Sequence, residues 1–304
     1  MVGPSVLEAS ESPHGEGERV NPENLAVLAA FAFAFCYLFA RVAVQYASAF
    51  SVNLWMNGIC AIGLSLFLPF ATVPDSFPAA ALIHFVVAGV ASPAMAVLLI
   101  ILGSRRIGIS RTGAVAAGLA PLLSSAVGVL YLGETPSGRV IAGTLLIVLG
   151  VVALSFEKSH WGRTWRFLGY PILGAVCLAL TAVFRKLGLQ AAPGPVFGAV
   201  VQSWAGLAFL ILLAPLIPTG ERFRWERAAL PYFLLGGLFV TLSLYFYFQA
   251  LEAGDVTVVT PLAHTWPLLV MLFSRGFLQR IEHITPRTMI STVFVVGGGL
   301  MVMS

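Results

Sequence analysis

After residue 23 the chain is an almost unbroken series of long apolar runs separated by short polar links. Each run approaches the roughly 20 residues that an α-helix needs to cross a bilayer. The runs are rich in leucine and alanine and lack the strict alternation of a membrane β-strand, which favours helices over a closed barrel. We therefore predict an all-α integral membrane protein with ten transmembrane helices. Their predicted centres are Phe35, Ile62, Val90, Ala120, Ile147, Val176, Ala208, Phe239, Trp266 and Val295.

The ten helices are predicted to form two similar halves of five. Arg41 and Gln45 at the end of the first helix return, 145 residues later, as Lys186 and Gln190 at the end of the sixth. A five-helix unit crosses the membrane an odd number of times, so its second copy must be inverted. Further pairs at similar offsets are Asn57 with Gln202, Gly108 with Gly254, Pro121 with Pro267, and Thr135 with Thr285.

This repeat gives the predicted domain organisation. The first five-helix repeat covers residues 24–157 and the second covers residues 158–304. Residues 1–23, with five glutamates and a single arginine, are predicted to be a disordered acidic tail and not a signal peptide.

Composition and charge narrow the class of protein and its orientation. With 59% hydrophobic and 10% charged residues, the chain cannot have an ordinary water-exposed surface. Of the 17 lysines and arginines, all but four lie in or beside the links that follow odd-numbered helices, and these links share one face. The positive-inside rule makes that face cytoplasmic and places both termini outside. The four on the other face are Arg19, Arg139, Arg185 and Lys186.

Several short stretches in both halves resemble one known family. The first half has Gly113 to Pro121 in helix 4, followed by Leu132-Gly133-Glu134. The second half has Ala250 to Asp255, and glycines 297–299 in helix 10. In their order and spacing these pieces resemble the ten-helix EamA-type transporters of the drug/metabolite transporter superfamily, over residues 24–304.

The resemblance implies a fold and a function. The fold would be two inverted five-helix repeats around a cavity, in a multi-pass protein of the plasma (inner) membrane. The function would be secondary transport by alternating access, usually export of a small metabolite such as an amino acid or a derivative. The resemblance also implies cytoplasmic termini, opposite to the charge count. Because Gln279 to Glu282 replace the second-half Gly-Glu, a symmetric role for Glu134 is not expected.

Isolated polar residues deep in apolar helices are the candidates for solute binding. These are Asn57, Gln202, His264 and Thr265. An amide without a partner costs several kcal/mol in hydrocarbon, so each must face the protein interior or water. The alternative for the two amides is a helix–helix hydrogen bond worth about 0.6 kcal/mol. His264 could carry a proton near neutral pH, or could simply be a packing residue.

Helix 8 adds an aromatic and polar face. Tyr245 and Gln249 are four residues apart and share a face with Thr241, so both are candidates for solute contact. The alternative is an interfacial aromatic belt, since Tyr247 and Phe248 lie near the helix end.

The cations at helix ends have two interpretations. Arg41 with Gln45, and Lys186 with Gln190, are each spaced four residues apart and predict a pair of polar gates at the cavity mouths. For Arg185 we expect the long side chain to snorkel to the interface.

Prolines and glycines predict where helices flex and pack. Pro121 and Pro267, near the centres of helices 4 and 9, each remove a backbone hydrogen bond and would loosen the helix. Glycines in helices 5 and 10 permit close packing and predict a homodimer contact there. Cys36, Cys60 and Cys177 lie inside predicted helices and are interpreted as small buried hydrophobes.

The energy source and the substrate stay open at this stage. No Asp or Glu lies deep in a predicted span, which leaves His264, Glu134 or Glu252 at the membrane edge, solute exchange, or facilitated diffusion. The partners are predicted to be a small solute and the lipid bilayer, without nucleic acid, metal or cofactor. A lipid-handling or structural membrane protein is the alternative. An intramembrane enzyme is less favoured, because no catalytic or metal-ligand motif is present.

Overall fold

A computed structural model describes residues 21–71, 78–107, 109–155, 167–217, 222–277 and 286–303. The regular structure of these residues is helical, apart from one isolated bridge between Ala47 and Trp225. Most of the predicted acidic tail, the predicted repeat boundary at 157 and 158, and Gln279 to Glu282 lie outside the described residues. The α-helices are α1 (Pro22–Ala43), α2 (Ala49–Phe67), α3 (Ala79–Gly89), α4 (Ala96–Ile107), α5 (Ile109–Tyr131), α6 (Gly138–Ser155), α7 (Gly169–Ala191), α8 (Pro195–Leu213), α9 (Leu230–Ala253), α10 (Val256–Ala263), α11 (Trp266–Phe277) and α12 (Pro286–Met303).

The helices confirm a multi-pass membrane protein. Six helical stretches of the described chain are long and apolar enough to span a bilayer, and four more apolar segments are shorter. Each contains one of the predicted centres, while the exact count of ten crossings stays a prediction. The six spans are Pro22–Ala43, Ala49–Phe70, Ala79–Ile100, Gly169–Ala191, Pro195–Leu216 and Arg227–Ala253. The shorter segments are Gly118–Tyr131, Gly138–Ala153, Val256–Val270 and Val293–Met303.

Local signals in the sequence start the first two helices. The Asn21 side chain accepts a hydrogen bond from the Glu23 backbone at 3.3 Å, and Pro22 occupies the first helical position. Ser48 caps α2 through a 3.1 Å bond from the Ser51 backbone. The Ser48 backbone also donates to the Arg224 carbonyl at 2.8 Å. The links before α2 and before α9 are therefore joined.

The two halves pack against each other in a reciprocal pattern. The first helix of each half contacts the third span of the other, as α1 packs on α9 and α7 packs on α3. The second helices, α2 and α8, pack together, and so do the fifth, α6 and α12. This exchange is what a two-fold relation between repeats produces.

Two of the predicted spans are broken. The third is interrupted between α3 and α4, where Ser92 has an extended backbone (φ −152°, ψ 130°) and Pro93 follows. The ninth is interrupted at His264 and Thr265, between α10 and α11. Broken helices expose backbone groups at membrane depth, where they must line a cavity or bond to side chains.

The break in the ninth span corrects one prediction. Pro267 was expected near the centre of a helix, but it is the second residue of α11. At that position the absence of its N–H removes no bond from the helix. Pro121, in contrast, lies inside α5 as expected, and its role in flexing stays a prediction.

The glycines of the fifth and tenth spans pack α6 against α12 within one chain. A Cβ added to Gly143 would lie 2.6 Å from the Gly298 carbonyl oxygen, and one added to Gly150 would lie 2.8 Å from the Ser291 carbonyl oxygen. The close approach predicted from these glycines therefore occurs inside the molecule. The homodimer contact stays a prediction.

Candidate functional site

A buried amide and an arginine meet between α7 and α8. The Nε of Arg185 donates a 2.7 Å hydrogen bond to Oε1 of Gln202. Gln202 is only 1% exposed, and its Nε2 lies 3.5 Å from the Ser92 carbonyl oxygen, at the break between α3 and α4. The amide therefore connects the arginine of the second repeat to the broken span of the first.

Two aromatic rings of α9 flank the guanidinium. The Cζ of Arg185 lies 4.9 Å from the centre of the Tyr247 ring and 5.4 Å from the centre of the Phe248 ring. Both rings are buried. A cation within about 6 Å of an aromatic face is attracted to it, more strongly where water is excluded. The rings therefore stabilise the charge.

Polar contacts continue from Tyr247 to the break between α10 and α11. The Tyr247 hydroxyl lies 3.1 Å from Oγ1 of Thr260. The Nδ1 of His264 is 2.8 Å from the Thr260 carbonyl oxygen. Since a carbonyl only accepts, Nδ1 must be the donor, and in neutral His264 the lone pair lies on Nε2. We call this set the arginine cluster: Ser92, Arg185, Gln202, Tyr247, Thr260 and His264.

The structure brings some of the predicted solute contacts together and separates others. Gln202 and His264 belong to the arginine cluster. Thr265 donates to the Leu262 carbonyl at 2.7 Å and so closes the end of α10. Asn57 donates to Oδ1 of Asn53 at 2.7 Å. It therefore belongs to a separate amide pair on α2.

That amide pair meets the same break as Gln202. The Nδ2 of Asn53 lies 3.5 Å from the Pro93 carbonyl oxygen. Two amides thus contact adjacent carbonyls, Ser92 and Pro93, where the helix is interrupted.

The burial of the aromatic residues of α9 differs from what the sequence predicted. Tyr247 and Phe248, which were considered for an interfacial belt, are 7% and 0% exposed, so the belt interpretation is wrong for them. Tyr245 instead packs against the ring of Phe67, at 5.7 Å, and Gln249 is part-buried. Because side chains two residues apart on a helix differ by about 200° in direction, Tyr245 and Tyr247 face different neighbours.

Arg185 is the site residue that the sequence interpretation missed. It does not snorkel to the interface, because its guanidinium bonds to Gln202 and stacks on α9. A buried amide on the next helix was a signal, since an amide in a membrane needs a polar partner. The sequence did not show that this partner was Arg185.

Lys186, the next residue, binds the end of α9. Its Nζ donates to the carbonyl oxygens of Leu251, at 2.8 Å, and Gly254, at 2.7 Å. The last carbonyls of a helix lack internal partners and carry its negative dipole end, so a cation there is stabilising. Gln190 is exposed on the last turn of α7.

In the first of the two predicted gates, the two residues are not on one helix, while the gate itself stays a prediction. α1 ends at Ala43, so Gln45 lies in the following turn rather than one helical turn beyond Arg41. Both side chains are exposed. Helical spacing therefore holds for Lys186 and Gln190 but not for Arg41 and Gln45.

Glu134 binds the start of α10, as Lys186 binds the end of α9. Its two carboxylate oxygens accept hydrogen bonds from the backbones of Val256 and Thr257, each 2.8 Å long. Gly133 has a left-handed backbone (φ 69°) that returns the chain toward α5, and Gly128 leaves room for the carboxylate. Lys186 and Glu134 thus bind the two helix ends that the link between α9 and α10 connects.

No group of three His, Cys, Asp or Glu that could hold a metal ion occurs in the described part of the chain. The arginine cluster instead offers one cation, an amide, a phenol and an imidazole. Such a set is suited to binding a small polar solute through hydrogen bonds and charge rather than to covalent chemistry.

Comparisons with known proteins add a family and a fold. A family model described as "EamA-like transporter family" matches residues 23–156 and again residues 165–304. A solved structure titled "Crystal structure of protein" superposes with a TM-score of 0.78. The superposition covers 94% of this chain and 99% of the chain in that structure. The two sequences are 17% identical, so the likeness concerns the fold alone. No curated protein matches the sequence.

Proposed function

Since this chain belongs to the EamA-like transporter family, we propose that it exports a small metabolite, such as an amino acid or a derivative, by secondary transport. The observation that carries the proposal is the arginine cluster, a polar site reached from both repeats. Gln202 and Arg185 come from the second repeat, while the Ser92 carbonyl comes from the broken span of the first. Rocking of one repeat against the other would expose such a site to each side in turn.

Energy coupling is best assigned to His264 or to exchange of one solute for another. Both oxygens of Glu134 are committed to the start of α10. Carrying a proton on Glu134 would break one of these bonds in every cycle. His264 is joined to the rest of the cluster through Thr260 and offers Nε2 as a proton acceptor.

We propose that the protein lies in the plasma (inner) membrane with its arginine-rich face in the cytoplasm. Arg224 and Arg139 are both exposed, and the proposed topology places their links at opposite faces, so they provide a matched pair of probes. In a background without the three native cysteines, we expect Arg139→Cys to react with a membrane-impermeant maleimide in intact cells. Arg224→Cys should react only after permeabilisation. The reverse pattern would establish the orientation that the family resemblance implies.

The transport proposal is tested in proteoliposomes. Vesicles loaded with a labelled panel of amino acids, nucleosides, sugars and organic acids should exchange at least one solute across the membrane. We expect Gln202→Leu to slow that exchange about tenfold or more, because it leaves the buried Arg185 without its acceptor. Ser65→Ala serves as the control, since Ser65 lies on α2 and contacts Trp204 outside the cluster.

The outcomes separate the proposed function from its alternative. Flux of a panel solute that requires Gln202 but not Ser65 supports transport through the cluster. If no solute crosses and the protein instead moves fluorescent lipid between leaflets, the transporter proposal fails in favour of lipid handling. Equal slowing by both variants would place the transport path elsewhere.

A further inference from the structure

We propose that Arg185 is the residue that recognises the solute, and that it does so by binding a carboxylate. This inference rests on the proposed transport function and narrows it to anionic or zwitterionic solutes. It follows from the charge balance of the arginine cluster, the orientation of the guanidinium, and the different use made of Lys186.

The first argument is an uncompensated charge. Within the described part of the chain, the guanidinium of Arg185 donates from Nε to Gln202, interacts with the neutral Tyr247 hydroxyl, and is paired with no carboxylate. A cation held inside a membrane protein is costly unless a counter-charge or a polar cavity compensates it. The neutral amide and the two aromatic rings compensate only in part. A solute carboxylate would supply the missing negative charge.

The second argument is pre-organisation. Gln202 holds Nε, and the ring centres of Tyr247 and Phe248 lie 4.9 Å and 5.4 Å from Cζ. The bond to Gln202 uses neither terminal nitrogen, so it leaves that side of the guanidinium for a ligand. Parallel hydrogen bonds from a guanidinium match the two oxygens of a carboxylate, and an arginine already held in place loses little entropy on binding. A neutral amide ligand offers a single acceptor oxygen and no charge.

The third argument limits the charge of the ligand. A dianion such as a phosphate ester would need a second cation, and the adjacent cation, Lys186, is already bound to backbone carbonyls. The Nζ of Lys186 binds the carbonyls of Leu251 and Gly254 at the end of α9. A single guanidinium matches a single carboxylate, whether it belongs to an amino acid or to a simple organic acid.

The test compares each acid with its own amide. The purified wild-type protein in lipid nanodiscs is titrated with the L-amino acids and short monocarboxylic acids, each beside its primary carboxamide, while the melting temperature is followed. We expect at least one acid to stabilise the protein, with its carboxamide binding about tenfold more weakly or worse. This comparison needs no variant, so it holds even where substitutions at Arg185 impair folding.

Variants then assign the effect to Arg185. We expect Arg185→Gln to bind the acid and its amide about equally. Arg185→Lys keeps the charge but loses the planar fork, and should show an intermediate preference. A role in folding alone would change the melting temperature of the free protein without changing the acid-to-amide ratio. Undiminished preference for the acid in Arg185→Gln would therefore overturn the inference.

The failure of this inference is distinguishable from failure of the transport proposal. If only neutral or cationic solutes bind the wild type and cross proteoliposomes, the carboxylate inference is wrong while transport stands. If no panel solute binds or crosses, both are wrong. Preference for the acid together with its loss in Arg185→Gln supports the inference.

Discussion

Replacing Glu134 with alanine is expected to lower the free energy of unfolding by about 3 kcal/mol, because two charge-assisted hydrogen bonds are lost together. The backbone donors of Val256 and Thr257, which are 0% and 1% exposed, would then lie unpaired and buried at the start of α10. The carboxylate also opposes the positive dipole end of that helix. The loss should be measured as denaturant or thermal unfolding of the purified protein in a fixed detergent.

Two further substitutions separate the hydrogen bonds of Glu134 from a general effect of charge. In Glu134→Gln the amide oxygen can accept from one backbone donor, while its NH₂ group faces the other, so we expect about two-thirds of the alanine effect. Glu226→Gln removes the same charge from an exposed residue and should change stability by less than about 0.5 kcal/mol. Equal effects at Glu134 and Glu226 would show that the bonds to α10 contribute little.

Replacing Gly298 with leucine is expected to destabilise the protein by about 3 kcal/mol or to prevent folding, because the new side chain meets backbone. A Cβ at Gly298 would lie 2.5 Å from the Gly143 carbonyl oxygen and 2.9 Å from the Ile147 nitrogen. Backbone cannot swing away as a flexible side chain can, so α6 and α12 would have to separate. Thermal unfolding in detergent, together with the yield of monodisperse protein, measures this loss.

The adjacent glycine gives a matched control on the same helix. A Cβ at Gly297 has no atom within 4 Å, so Gly297→Leu should fold with wild-type stability or slightly better, since it removes a helical glycine. The helix, the substituted side chain and the depth are nearly the same in both variants. Similar destabilisation by the two would contradict the packing of α6 on α12 described above.

The helical architecture could be predicted from the sequence because it follows from solvation of the backbone. Each long apolar run must satisfy its own N–H and C=O groups in lipid, and only a helix does so within one segment. The described helices and shorter apolar segments therefore contain all ten predicted centres. Spacing between polar residues also revealed the two repeats, which the family match over 23–156 and 165–304 confirms.

The breaks in the helices were only partly predictable. Pro93 inside an apolar run was an available signal for the interruption at Ser92, because proline cannot continue the backbone hydrogen bonds of a helix. Pro121 carries the same local signal, yet α5 continues through it. The outcome depends on whether neighbouring side chains can bond to backbone carbonyls at the interruption, as Gln202 and Asn53 do for the carbonyls of Ser92 and Pro93.

The site illustrates what a sequence determines and what it does not. The sequence alone determined that Gln202 and His264 need polar partners inside the bundle, because an unpaired polar group in hydrocarbon is costly wherever it lies. Only the tertiary structure decided that Arg185 is the partner of Gln202 and that Lys186 binds the end of α9. The two residues are adjacent and both positively charged, and one residue turns a helix by about 100°. Which of them enters the cluster is therefore set by how α7 packs against α8 and α9.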